Sequence, residues 1–304
     1  MRTNTPGRRL LGAVAVVTAS VFALAGCWAT ADGDAEDSAV SGSVVPVVDG
    51  APVSGWDVSV WSAGTEGEPA AQIGSTSSDR DGDFVVDLGS VSRDDDLVYL
   101  LATAPGGDDT TMTATFAAII PTDATAVVLN ERTTVAAGYA LAQFTGPEGV
   151  EGSSPGLPNA ASMYANLVDA QTGDYGAVLT SAPNGTQTEA LPTFTSLTNI
   201  LSACVLDTDA CRVLVDAASA RSDDRPVDTF RAFAQIARDP SAAPSELYDL
   251  SLTVAGDRPG LMAAPAAWTL ALRFDGDGQT LDGPGNFAID PDGNIWVNNN
   301  YEYG

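Results

Sequence analysis

The chain has 304 residues, 44% of them hydrophobic and 17% charged, a balance that supports packed cores and leaves room for two or three domains. Its 40 acidic residues face 13 basic ones, all of them Arg, and with no His the formal net charge is −27, which repels nucleic-acid phosphates and anionic headgroups. Lacking His and Lys, the chain has no Ser-His-Asp or Cys-His nucleophile system, no His-ligated zinc, no Schiff base and no P-loop lysine, so carboxylate chemistry, oxygen-ligated cations and binding remain.

Residues 1–27 read as an export signal. Arg2, Arg8 and Arg9 precede an apolar run from Leu10 to Ala25, which ends in Leu24-Ala25-Gly26-Cys27. This resembles the bacterial lipobox, and the resemblance implies that Cys27 becomes the lipidated first residue of the mature protein. The implied location is the extracytoplasmic face of the bacterial cell membrane, held by a lipid anchor. An ordinary secretory signal or a single membrane anchor is the other reading. Residues 28–40 are small, acidic and aperiodic, the composition of a flexible tether.

Residues 41–128 show period-two patterning broken by turn signals. Trp56, Val58 and Val60 share one face, as do Phe84, Val86 and Leu88. Further on, Met112, Ala114, Phe116 and Ala118 alternate with Thr111, Thr113 and Thr115. Short strands of this kind argue an antiparallel β-sandwich. The stretch "GAPVSGWDVSVWSAG" followed by "SDRDGDFVVDL" resembles the carboxypeptidase regulatory-like, transthyretin-type sandwich, which implies a spacer or adhesion module. Asp79, Asp81 and Asp83 alternate in the second of these stretches. They could invite Ca²⁺, but no distal bidentate carboxylate is placed and a plain β-turn accounts for them better.

The period changes after Leu129, and residues 129–255 read as an all-α domain of about five helices. In one helix Phe194, Leu197, Ile200, Leu201 and Cys204 form an apolar stripe; in the next, Cys211, Leu214, Ala217 and Ala218 do. Cys204 and Cys211 would lie about 10 Å apart along one continuous helix, too far to bridge. Asp207-Thr208-Asp209 supplies a break between them, so a disulfide pinning two helices is expected, with two buried free thiols as the other arrangement. Asn130, Glu131 and Arg132 form a polar cluster at the start of the region. It reads as a binding site or, more simply, as helix capping with a local ion pair.

Residues 256–304 return to period two, with Trp268, Leu270 and Leu272 alternating before a Gly/Asp loop. Phe287 and Ile289, the turn Asp290-Pro291-Asp292-Gly293-Asn294, and Ile295 to Val297 make a hairpin. Gly283-Pro284, Ala288, Asp290, Gly293-Asn294 and Trp296-Val297 resemble the first blade of an NHL-type or virginiamycin B lyase-like β-propeller. Such a fold needs several blades to close. The expectation is therefore of a longer protein, with Asn298, Asn299 and Asn300 at a blade end that either binds a ligand or serves as a local turn.

The expected architecture is multidomain α and β: an antiparallel β-sandwich, an all-α domain and a C-terminal β-hairpin resembling the start of a propeller. The expected function is that of an exported, membrane-anchored lipoprotein acting as a surface binding or scaffold protein for an extracellular protein or glycan. It has no catalytic residue, no cofactor beyond the Ca²⁺ considered above, and no nucleic-acid partner. Two rivals stand beside it: the N-terminal part of a propeller enzyme, lyase or lactonase-like, with its active site beyond residue 304, and a calcium-dependent adhesion module.

Overall fold

The structure, a computed structural model, describes residues 39–299 apart from 66, 94, 95, 107–113, 277–280 and 282. Cys27, most of the tether, Thr111 to Thr113 and Asn300 lie outside the described residues. The described chain folds as mixed α and β, with a two-sheet sandwich, seven helices and a C-terminal hairpin.

The sandwich strands are β1 (Ala39–Val44), β2 (Asp57–Ser62), β3 (Ala71–Ser77), β4 (Asp83–Asp87), β5 (Val98–Thr103), β6 (Thr115–Ile120) and β7 (Ala126–Leu129). One sheet has the order β4-β1-β7 and the other β3-β2-β5-β6. The alternation places the core as expected. Cross-strand register aligns Val58 and Val60 with Ala102 and Leu100, and these with Phe116 and Ala118, all buried. On β4, Phe84 and Val86 point inward while Val85 between them is 63% exposed. One pairing departs from a purely antiparallel design: β1 and β7 are parallel. The short Pro121–Thr125 connection carries the chain from β6 into the other sheet, and β7 enters that sheet running in the same direction as β1.

β5 and β6 are buried on both faces, which a sandwich with one solvated face does not produce. The helices supply the second cover. They are α1 (Glu131–Ala140), α2 (Gly156–Leu167), α3 (Ala177–Thr180), α4 (Ala190–Leu206), α5 (Thr208–Ala218), α6 (Thr229–Arg238) and α7 (Pro244–Ser251). Between α1 and α2 the chain makes a small hairpin, β8 (Thr145–Gly146) and β9 (Gly149–Val150). Helix α1 lies between β6, α4 and α6 and is buried from Glu131 to Gly138. Gly138 allows the α1–α6 crossing, because a Cβ there would fall 2.6 Å from the Cβ of Phe233.

Strand β6 is a sheet edge, and two of its outward amides meet hydroxyls from two helices. The Thr115 amide donates to Thr229 Oγ1 at 3.0 Å, and that hydroxyl donates back to the Thr115 carbonyl. The Ala117 amide donates to Thr134 Oγ1 at 2.9 Å. An edge that would otherwise offer itself to another strand is thus closed by side chains. Sandwich and helices consequently share one continuous apolar core, from Val40 through Phe116 and Phe233 to Leu250.

Helices α4 and α5 meet at a break where Asp207 ends one helix and caps the next by accepting from the Asp209 amide. The Cys204–Cys211 disulfide bridges this corner, with Cα atoms 4.3 Å apart. After α7 the alternation of Trp268, Leu270 and Leu272 survives as a burial pattern, but no strand forms there. Residues 258–276 run instead as an irregular strap. The buried Trp268 indole donates to the Pro244 carbonyl, and the Trp268 amide donates to the Pro240 carbonyl. Asn184 clamps the strap by accepting from the Arg273 amide at 2.8 Å and donating to its carbonyl at 3.0 Å. The hairpin strands are β10 (Pro284–Ile289) and β11 (Ile295–Asn299), and Gly293 takes the positive φ of +84° that the turn requires.

Candidate functional site

At the two turns singled out, Asp79, Asn298 and Asn299 accept from backbone amides. Asp79 Oδ1 accepts from the amides of Asp81 at 2.8 Å and Asp83 at 3.0 Å, which closes the turn before β4. Asp81 pairs with the exposed Arg80. Among the described residues no group of three or more His, Cys, Asp or Glu is placed to hold a metal. Asn298 accepts from the Asn286 amide and Asn299 from the Gly283 amide, so both tie β11 to the start of the hairpin.

The Asn130-Glu131-Arg132 cluster is both a cap and the centre of a larger polar assembly. Asn130 accepts from the Thr133 amide while Thr133 Oγ1 accepts from the Asn130 amide, a reciprocal cap that fixes where α1 begins. Glu131 in the first turn is fully buried. Its carboxylate accepts from the Val47 amide at 2.6 Å, the Val48 amide at 3.4 Å and Ser202 Oγ at 3.1 Å. It therefore staples the β1–β2 connection to α1 and α4. Burial pushes its pKa above the ordinary carboxylate value, against the lowering effect of those hydrogen bonds.

Arg132, one residue on, points to the other side of the helix. Its Nη1 donates to Asp174 at 3.0 Å and its Nη2 to Asp257 at 2.7 Å, and the guanidinium stacks 4.4 Å from the Tyr175 ring centroid. The Tyr175 hydroxyl donates to the second oxygen of Asp257 at 2.9 Å, and burial raises its pKa. A second guanidinium, Arg258, lies 5.0 Å from the same ring. The result is an aromatic ring with two cations against it and two carboxylates near it, in a protein of large negative charge. Such a group binds and orients; it offers no paired nucleophile and base. The polar triplet Asn130 to Arg132 was visible in the sequence, but Tyr175, Asp257 and Arg258 were not, since Asp257 lies 125 positions from Arg132. A weak signal did exist in α4, whose apolar stripe is backed by Thr195, Ser196, Asn199 and Ser202, all buried.

At the hairpin the apolar side chains have no cover among the described residues. Phe287 is 72% and Trp296 66% exposed, and Ile289, Ile295 and Val297 are also exposed. Asp290 organises the turn by accepting from the Asp292 and Asn294 amides, the Asn294 side chain and the Trp296 indole. The hydrogen bonds from Trp296 and Asn294 push its pKa down to about 2.

No protein-family model matches the chain, and no curated protein shows significant similarity to it. A solved structure with some likeness is a 9R-lipoxygenase from Cyanothece PCC8801, at 10% identity over 63% of this chain and a TM-score of 0.20. The chain spans 28% of that structure's length. A likeness at that score bears on neither fold nor activity. Among the described residues no helix is long and apolar enough to cross a membrane.

Proposed function

We propose that the chain is an exported lipoprotein, held at the outer face of the cell membrane through Cys27, whose sandwich-and-helix body supports the β10–β11 hairpin as a surface for docking further β-structure. One observation carries the reading. The hairpin exposes Phe287, Ile289, Ile295, Trp296 and Val297, while large side chains of the body such as Phe116, Phe194, Phe233 and Trp268 are buried completely. Phe287, Ile289, Ile295 and Val297 share one face of the two-stranded hairpin and Trp296 lies on the other, and apolar surface so exposed is unstable in water without a cover. The blade-like sequence of the hairpin supports β-propeller blades as that cover, since each blade buries its face against the next. The leader and its lipobox-like end support the anchor.

The test is the reading frame after Gly304 and the protein it encodes. If blades follow, Trp296 emission, isolated as the difference from Trp296→Phe, shifts to the blue in the complete protein, and the β10–β11 amides become protected from hydrogen exchange. A stop codon directly after Gly304, or an indole that remains fully hydrated in the complete protein, overturns the proposal.

A further inference from the structure

The loop after α7 and the polar side of α4 line an open hollow of about 430 Å³. Its floor is Asn199, which is only 8% exposed and makes no side-chain hydrogen bond among the described residues. Its amide atoms are not sealed from solvent, so a ligand entering the hollow can reach them. Gly256 lies directly on it, since a Cβ there would fall 2.4 Å from Asn199 Oδ1. Beside Asn199, Ser196 Oγ accepts from the Leu261 amide at 2.8 Å, and Gly260 is close enough that a Cβ would fall 2.5 Å from that oxygen. Arg258 stands at the rim.

Arg258 has no carboxylate within ion-pair distance among the described residues, although the chain is strongly acidic. Its guanidinium is held against the Tyr175 ring, and that ring is fixed in turn by Arg132 and by its hydrogen bond to Asp257. A cation oriented in advance loses little freedom on binding. The hollow therefore brings together a planar cationic fork and an amide with no side-chain partner, beside a loop whose Gly256 and Gly260 pack closely on Asn199 and Ser196.

We propose that this hollow binds a small carboxylate ligand bearing an adjacent amide, the chemistry of a peptide C-terminus or an N-acyl amino acid. The carboxylate pairs with Arg258, in the bidentate manner that suits guanidinium, and the ligand amide pairs with Asn199. Asp257, half exposed at the same rim, selects against a phosphate dianion, whose greater charge it repels more strongly.

The experiment is a titration of the ¹⁵N-labelled full chain in detergent with N-acetyl-L-alanine, with N-acetyl-L-alaninamide and inorganic phosphate run in parallel. The Gly256, Asp257 and Gly260 amide signals are expected to shift and saturate with the acid and to respond weakly to the other two. Arg258→Gln and Asn199→Leu are each expected to weaken binding roughly tenfold or more, the loss of one charge-assisted or buried hydrogen bond. Arg258 is exposed, so its variant keeps the fold even if Asn199→Leu does not. The proposal is overturned if those signals do not move, if the neutral amide or phosphate binds as well as the acid, or if Arg258→Gln binds like the parent. Separate peptides with a free C-terminus and short N-acyl amino acids then distinguish the two ligand sources.

Discussion

Replacing Glu131 tests how the sandwich is joined to the helices. In Glu131→Ala the Val47 amide and Ser202 hydroxyl lose acceptors at 2.6 and 3.1 Å, while the Val48 amide at 3.4 Å loses little. Two buried donors left unpaired cost ~1–3 kcal/mol each. Removing a buried charge that has no cation offsets part of this, so the net loss is about 3 kcal/mol. Glu131→Gln keeps the shape and one acceptor and loses about 1–2 kcal/mol in acid, where the parent carboxyl is protonated. The pH dependence provides the sharper criterion. The folded pKa of Glu131 is raised by burial above the ordinary value of 4.5. Its contribution is therefore fully present below that value and is lost as pH rises through the folded pKa. Urea denaturation of parent and Glu131→Gln from about pH 4 to about pH 8 should show the parent's advantage shrinking as pH increases. An advantage that stays constant or grows with pH would refute the account of a desolvated carboxylate.

Three further outcomes follow from the packing. Thr229→Val, which keeps the shape but leaves both backbone groups of Thr115 without their hydroxyl partner, should cost about 1–3 kcal/mol by denaturant midpoint; no change would mean that β6 is not closed in this way. Gly138→Ala should lower the thermal midpoint through overpacking against Phe233, a loss of about 1–3 kcal/mol, whereas a stabilised variant would contradict the close α1–α6 crossing. At the hairpin, Asp290 holds the Trp296 indole as a carboxylate, an interaction present above its unfolded pKa of 3.8 and lost as pH falls through about 2. A Trp296 fluorescence change with that midpoint is expected, absent in Asp290→Asn; a midpoint near 3.8 would show that the contact does not form.

Much of the fold was legible because it is written in short periods. Val58 with Val60 and Phe84 with Val86 mark strands by alternation, and the helix break between Cys204 and Cys211 followed from the reach of a disulfide. The reciprocal cap at Asn130 and Thr133 is likewise local. What was not legible depends on partners far along the chain. Thr229 reads as an ordinary first residue of a helix, and nothing near it in sequence points to Thr115, 114 positions away. The parallel pairing of β1 with β7 depends on how the chain crosses between sheets, which alternation does not encode. Trp268, Leu270 and Leu272 alternate as a strand would, yet the neighbour they run beside is Asn184 rather than a free sheet edge. The same holds for the site. Arg132 could be read as part of a polar triplet, but Tyr175, Asp257 and Arg258 come to it only through the folding of two separate loops. Asn199 lay on a helix whose apolar stripe drew attention to its opposite side.

The central claim is that the chain is held at the outer face of the membrane and presents its hairpin outward. Asp292→Cys places a thiol at the exposed hairpin turn, where Cys204 and Cys211 do not compete because they are joined to each other. Intact cells expressing this variant are treated with a membrane-impermeant maleimide and then fractionated. The account predicts label on the hairpin thiol in the membrane fraction, and its release from that fraction when Cys27→Ser is added. A hairpin that is labelled only after lysis, or membrane retention that persists without Cys27, would contradict it.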